Sequence, residues 1–383
     1  MNSLRSSQTH AMSSSKNIYF SLLLLLAACP LLSGCGPTLT SFTHPSADSL
    51  EQFAAALDDA SPSLRAQIAK VLSEGRQGRS LNTEINAAWQ IMHGVICYGR
   101  QLEVDTPDHG RVGALDYAFS GGQIDGFELM LGSEPLASTG RLGLKARLEP
   151  GSYTGQGHVD QWLAIFAMAD LPLDTPIMHA GQNMTLLDWA RQSQYDAGHN
   201  VLDEFSWTLI AMTHYFPDEP TWLADGGMLS WELLVEAELT YDLDQSPCGG
   251  THRLAGITRA LRAKQRLGLV DTPVWQQAQD LVDQCLARAK EQRSADGRLS
   301  AQYFSRPGVT ADLSAELASS GHVLEFIALA APQEELSAPW VELAAQRLCE
   351  ILEQTQRIEL DCGGLYHALN GLKIYQQRRW LSK

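Results

Sequence analysis

From about Leu50 onward, apolar residues recur at the three-and-four spacing of helices, first as Phe53 and Leu57, then as Ile68, Val71 and Leu72. The same habit runs through 84–101, 158–170, 184–197, 203–216, 228–242, 250–268, 273–292, 319–331, 337–355 and 363–381, with short Gly, Pro, Asp or Asn punctuation between segments. With the amino-terminal pair this predicts roughly a dozen helices. They are of two kinds. Segment 204–216 is apolar nearly all round, whereas 273–292 and 337–355 each keep one polar face. A helix with no polar face must be surrounded. The mixture therefore predicts an all-α double ring, an (α/α) toroid of about six helical hairpins whose inner helices pack on outer ones and line a central funnel.

One stretch departs from the helical period. Residues 102–156 hold ten glycines in 55 positions, and Leu142, Leu144, Ala146 and Leu148 alternate with polar or small neighbours as half-buried strands do. A Gly-rich β-hairpin insertion is expected there, covering a functional face or serving as a structural flap. A second regularity lies in the presumed inner helices. Gly157-His158, Cys248-Gly249-Gly250-Thr251-His252, Gly321-His322 and Cys362-Gly363-Gly364-Leu365-Tyr366-His367 each set glycine beside a predicted helix start and histidine soon after, with His93-Gly94 as a worn fifth copy. Recurrence of one entry suggests an internally repeated helical hairpin.

The amino terminus reads differently. Residues 1–16 are polar with Arg5 and Lys16 and no acid; an apolar run from Ile18 to Ala28 then leads to Leu32-Ser33-Gly34-Cys35. That run is too short for a hydrocarbon core needing roughly 20 residues. It resembles a bacterial lipoprotein signal, and the resemblance implies cleavage after residue 34 and acylation of Cys35, palmitate included. The expected domains are a signal peptide over 1–34, a Pro/Ser/Thr-rich tether over 35–48 and a single domain over 49–383. A plain secretory signal is the alternative. Either predicts export, and the lipid would hold the protein to a bacterial membrane, facing the periplasm or the cell surface.

Composition adds two limits. Of 383 residues 44% are hydrophobic, enough for a sizeable core, and 44 acids against 28 bases argue against a phosphate-backbone partner, so no nucleic acid is expected. Loss of residues 1–34 would leave a formal charge of −18. Such a surface gains little from anionic headgroups, so the anchor must do the holding.

The segments Gly155-Gln156-Gly157-His158-Val159-Asp160-Gln161-Trp162, Cys248 to Leu254, Asp296-Gly297-Arg298-Leu299-Ser300 and Asp361 to His367 look like those of an uncharacterised family of exported bacterial lipoproteins. More distantly, the helix pairs and the Gln292–Gly297 turn resemble the α/α-toroid superfamily of terpenoid cyclases and protein prenyltransferases. What the resemblance implies is the fold.

The candidate chemistry gathers on the inner-helix starts: His158, Asp160, Cys248, His252, Arg253, His322, Glu325, Cys362 and His367. Four readings compete. The imidazoles and thiols could be packed core groups. Cys248 and Cys362 could form a disulfide in an oxidising compartment. Zinc could be held by Cys248, Cys362 and His367, with Cys248-x-x-x-His252 offering both residues on one helix face; this set is similar to the Cys, Cys, His site of lanthionine cyclases, which are α/α toroids. Lastly, a glycan could be bound or cleaved in an aromatic-lined funnel, with Asp160 and His158 or His322 as proton donor and acceptor, His252 and Glu325 alongside, and Trp162, Trp207 and Tyr366 in the wall. Against every enzyme reading stands a non-catalytic envelope module that uses the funnel or the flap for docking.

Overall fold

The computed structural model describes residues 64–200 and 204–381. The chain divides into Met1–Asp48 and Ser49–Lys383, and everything below concerns the second unit. The signal, the tether and Cys35 lie outside the described residues. Among those described, twelve α-helices dominate: α1 (64–78), α2 (Ala88–Tyr98), α3 (Ala114–Phe119), α4 (Gln161–Met168), α5 (Leu186–Asp196), α6 (Ser206–Tyr215), α7 (Trp231–Leu239), α8 (Thr251–Leu267), α9 (Pro273–Gln292), α10 (Leu313–Ala330), α11 (Pro339–Gln354) and α12 (Cys362–Gln376). No helix among them is long and apolar enough to cross a membrane.

The even-numbered helices from α2 to α12 form the interior. Each packs on the next, and α12 returns to α2. Their burial follows from sequence: nearly all of α6 is buried, from Ser206 to Thr213, because no face of it is polar. The odd-numbered α7, α9 and α11 lie against this set. Helix α9 shows the other kind of pattern, burying only Trp275, Ala278, Val282, Cys285 and Ala289, one stripe at three-and-four spacing. Ends are set by local chemistry. Asp312 accepts the N–H groups of Ser314 and Ala315 to start α10, and Gly268 in the left-handed region stops α8 with its N–H on Gln265 and Lys264 carbonyls.

Four small sheets hang on the helices. Strands β1 (Leu81–Asn82), β2 (Glu103–Thr106) and β3 (Gly110–Gly113) form one sheet; β4 (Leu129–Pro135) and β5 (Leu142–Ala146) form the second; β6 (Pro176–His179) with β7 (Gln182–Thr185), and β8 (Thr221–Ala224) with β9 (Gly227–Ser230), form two hairpins. The Gly-rich stretch thus holds two hairpins, β2–β3 and β4–β5. Leu148, expected to continue the alternation, makes only an isolated bridge to Gln156.

The last two hairpins fall mostly in the connections between expected helices, 171–183 and 217–227, where no strand is expected, and overlap those helices only at 184–185 and 228–230. They belong to a repeat: β2–β3, β6–β7 and β8–β9 each run directly into a helix, α3, α5 and α7, and their cross-strand pairs Val104–Val112, Ile177–Met184 and Trp222–Leu229 correspond. The β4–β5 hairpin is tied to α5 by charge. Arg141 grips the buried Asp188 with two 2.8 Å bonds, and Lys145 reaches Asp196 at 2.8 Å. A paired fork on a fully buried carboxylate fixes orientation as well as position.

Candidate metal centre

Histidines from four interior helices and from the segment before α4 meet in one cluster. Ring centres lie 4.1 Å apart for His322 and His367, 5.1 Å for His252 and His367, 5.4 Å for His252 and His322, 5.6 Å for His93 and His367, and 6.3 Å for His158 and His252. The closest pair has a backbone cause. A Cβ on Gly321 would stand 2.7 Å from the Cα of Ala368, so α10 and α12 cross backbone to backbone, and the residues just after, His322 and before, His367, stack. This corrects the expected helix start at Gly321-His322: both residues lie in the middle of α10, and the glycine marks a crossing.

The rings are oriented by their Nδ1 atoms. His93 and His322 donate from Nδ1 to the carbonyls of Trp89 and Ala318, one turn back on their own helices, at 2.6 and 2.7 Å. A carbonyl can only accept, so the proton sits on Nδ1 and Nε2 keeps its lone pair. His158 and His367 place Nδ1 at 2.6 Å from carboxylates of Glu204 and Glu325, and the other oxygen of Glu325 accepts from Asn370 at 2.6 Å. Nε2 of His252 and of His367 is shielded from solvent and has no hydrogen-bond partner among the described residues. Burial pushes His93 down to about 4 against the pull of the Trp89 carbonyl, lowers His322, and drives His252 and His367 well below the ordinary histidine value, with neighbouring imidazoles adding to the shift in the last two. These are neutral imidazoles at neutral pH.

Cys248 reaches the cluster on an unusual turn. Cys248, Gly249 and Gly250 all have positive φ (53°, 61° and 73°), one left-handed turn that leads into α8, and Tyr303 packs where a side chain on Gly249 would stand. Donor atoms of Cys248, His252 and His322 then lie within 4.8 Å of one another. A single point is therefore within about 2.8 Å of all three, and contraction by roughly half an ångström would give the 2.0–2.3 Å bonds of zinc. The donor types suit zinc, and the carbonyl behind His322 is the outer partner such ligands usually have. Burial, then Asp361 and Glu325, push the Cys248 thiol up to about 11, so binding a cation there would release its proton.

Other expectations fare differently. Of the expected zinc set only Cys248 is in this donor group, which lacks both Cys362 and His367; Cys248 and Cys362 are free thiols, so the alternative disulfide is not formed. The pairing of Asp160 with His158 or His322 is not made either. Asp160, itself left-handed with φ 58°, turns away from His158 and accepts from Thr208 at 2.6 Å, while its carboxyl is raised by burial. It lines a separate cavity of about 280 Å³ with Lys145, Asp196 and Trp189, beneath β5. Glu325 belongs to His367, Arg253 pairs with Glu238 at 2.9 Å, and Trp162 is core, stacked on Phe127. The expected funnel is filled: the space between Trp207, His252, Glu325 and His367 is about 20 Å³, room for about one water. Tyr303 and Asn370 escape sequence reasoning. The signal for Asn370 was present, since His322-x-x-Glu325 and His367-x-x-Asn370 set polar pairs three apart in otherwise apolar helices.

Comparison of the chain with protein-family models, with curated proteins and with solved structures finds no match.

Proposed function

We propose that this is an exported, lipid-anchored cell-envelope metalloprotein of α/α-toroid architecture that binds one zinc ion through Cys248, His252 and His322, with His367 stacked behind. The observation that carries the reading is the convergence of three soft or borderline donors within 4.8 Å, one of them His252, whose Nε2 is buried and unpartnered like that of the neighbouring His367. An unpartnered buried polar atom is costly, and a cation would satisfy it. Three protein ligands leave a position open, the arrangement of catalytic rather than structural zinc. Bound there, zinc would supply Lewis acidity and a water ionised near neutral pH. His158 suits the accompanying proton transfer. Its Nδ1 is held by Glu204, its ring stands 6.3 Å from His252, and its side chain remains 24% exposed.

The test is metal analysis of the purified, tag-free chain. About one zinc per chain is expected, lost in the Cys248→Ser/His252→Ala double variant; metal-free protein from zinc-replete cells, or unchanged metal in the double variant, would remove the reading. The anchor is tested separately by fatty-acid labelling, which Cys35→Ala should abolish.

A second reading, glycan binding or cleavage, draws on the 280 Å³ cavity. There a half-buried Asp160 and an Asp196 paired with Lys145 face one space beside Trp189, two carboxylates in unlike surroundings. Loss of glycan turnover in Asp160→Asn with zinc content intact would favour it over the metal site.

A further inference from the structure

Helix α8 carries His252 in its first turn and a row of arginines farther along, Arg259, Arg262 and Arg266, at the spacing that shares one helix face. With Thr213 and His214 at the end of α6 and Leu329 near the end of α10, they line a cavity of about 170 Å³. Among the described residues no carboxylate lies within ion-pair distance of any of the three guanidinium groups, in a chain whose acids outnumber its bases 44 to 28. The nearest acids act through space only. Asp170 and Glu325 pull on Arg259, and Asp170, 89% exposed, stands 4.0 Å from His214.

Ordinary helix chemistry accounts for two of the three. Arg266 lies in the last turn of α8, where a cation meets the negative end of the dipole. Arg262 donates to the carbonyl of Leu329, a group that Arg378 also reaches at 3.0 Å. Arg259 has neither explanation. It sits in mid-helix, its Nε is shielded from solvent and unpartnered, and burial lowers it from the usual arginine value. A guanidinium nitrogen shielded from water without a partner is costly in a folded chain.

We propose that the cavity formed by Arg259, Arg262, Arg266 and His214 is an oxyanion site that takes a phosphoryl group. Forked donors match phosphate oxygens, and a phosphate monoester near two negative charges answers several cations where a carboxylate answers one. The volume is below that of whole-ligand pockets, so the site seats a headgroup-sized fragment. The group could be free phosphate or the phosphomonoester of a lipid. The site adjoins the metal centre, since Arg259 and Leu329 also border the small space beside His252, Glu325 and His367.

Titration calorimetry of the purified full chain with inorganic phosphate, at constant ionic strength, tests it. One site with Kd below about 1 mM is expected, weakened about tenfold or more in Arg259→Met and about threefold in Arg266→Gln; Arg306→Gln, exposed and remote in sequence, should leave it unchanged. Arg259→Met should melt no lower than the parent in phosphate-free buffer, since it removes an unpaired charge. Should it fail to fold, the Arg266→Gln titration decides. Vesicles containing phosphatidic acid identify the source: capture by them without binding of free phosphate assigns a lipid, the converse a soluble ligand. No binding of either, equal capture by phosphatidylglycerol vesicles, or unaltered phosphate affinity in the arginine variants overturns the proposal.

Discussion

Two carboxylate–imidazole pairs of equal length stand at different depths. In both, Nδ1 lies 2.6 Å from a glutamate oxygen, but the His367 side chain is 3% exposed and that of His158 24%. Glu325 keeps 15% of its side chain exposed, but the His367 ring is closed in. Its Nε2 has no partner, Glu325 holds Asn370 with its second oxygen, and burial pushes Glu325 up and His367 down, each toward its neutral form. The His158–Glu204 pair has solvent on one side. One contact thus serves in two settings: deep in the molecule it fixes a closed ring, and nearer the surface it holds a ring that solvent reaches.

The comparison breaks most readily at Glu325. Glu325→Ala strips both His367 and Asn370 of their partner in the core, and a loss of about 3 kcal/mol is expected from urea unfolding with unchanged slope. A loss under about 1 kcal/mol would mean that depth does not separate the pairs.

Acid sharpens it further. His93 has a folded value of about 4, below the ordinary 6.5 of the unfolded chain. Between those values the unfolded state binds the extra proton, so stability in metal-stripped protein is full above 6.5 and falls as pH drops toward 4. The slope is up to about 1.4 kcal/mol per pH unit for each such imidazole. His93→Gln should flatten that slope by one imidazole's share, and an unchanged slope would deny the buried cluster its neutral state.

How much of this the sequence disclosed depends on range. Long amphipathic helices such as α9 were legible because Trp275, Ala278, Val282, Cys285 and Ala289 repeat over twenty residues. Hairpins β6–β7 and β8–β9 were not, since four-residue strands are shorter than the window that reveals a period and adjoin strong helices. The gathering of His252, His322 and His367 was expected from the glycine-histidine entries, yet for Gly321 the physical reason was a helix crossing. Partners were hidden for another reason. His158 and Glu204 are 46 residues apart, and His367 and Glu325 are 42 apart, so no local pattern pairs them. Asp160 misled because its neighbour His158 is near in sequence, while a left-handed turn aims the two apart.

The smallest effect is the most discriminating. Glu204→Ala should cost about 1 kcal/mol or less, because water can take over the Nδ1 contact on a partly open ring. In a double-mutant cycle with His158→Ala the coupling should likewise be under about 1 kcal/mol, against about 2 kcal/mol or more for the matching cycle of Glu325 and His367. Zinc content should be unchanged in Glu204→Ala, since His158 is not among the three donors that converge. If that variant instead loses the metal, His158 is a ligand and the outer pair belongs with the inner one. The contrast in depth would then describe two ligands of a single centre, with Glu204 and Glu325 as equivalent supports behind them.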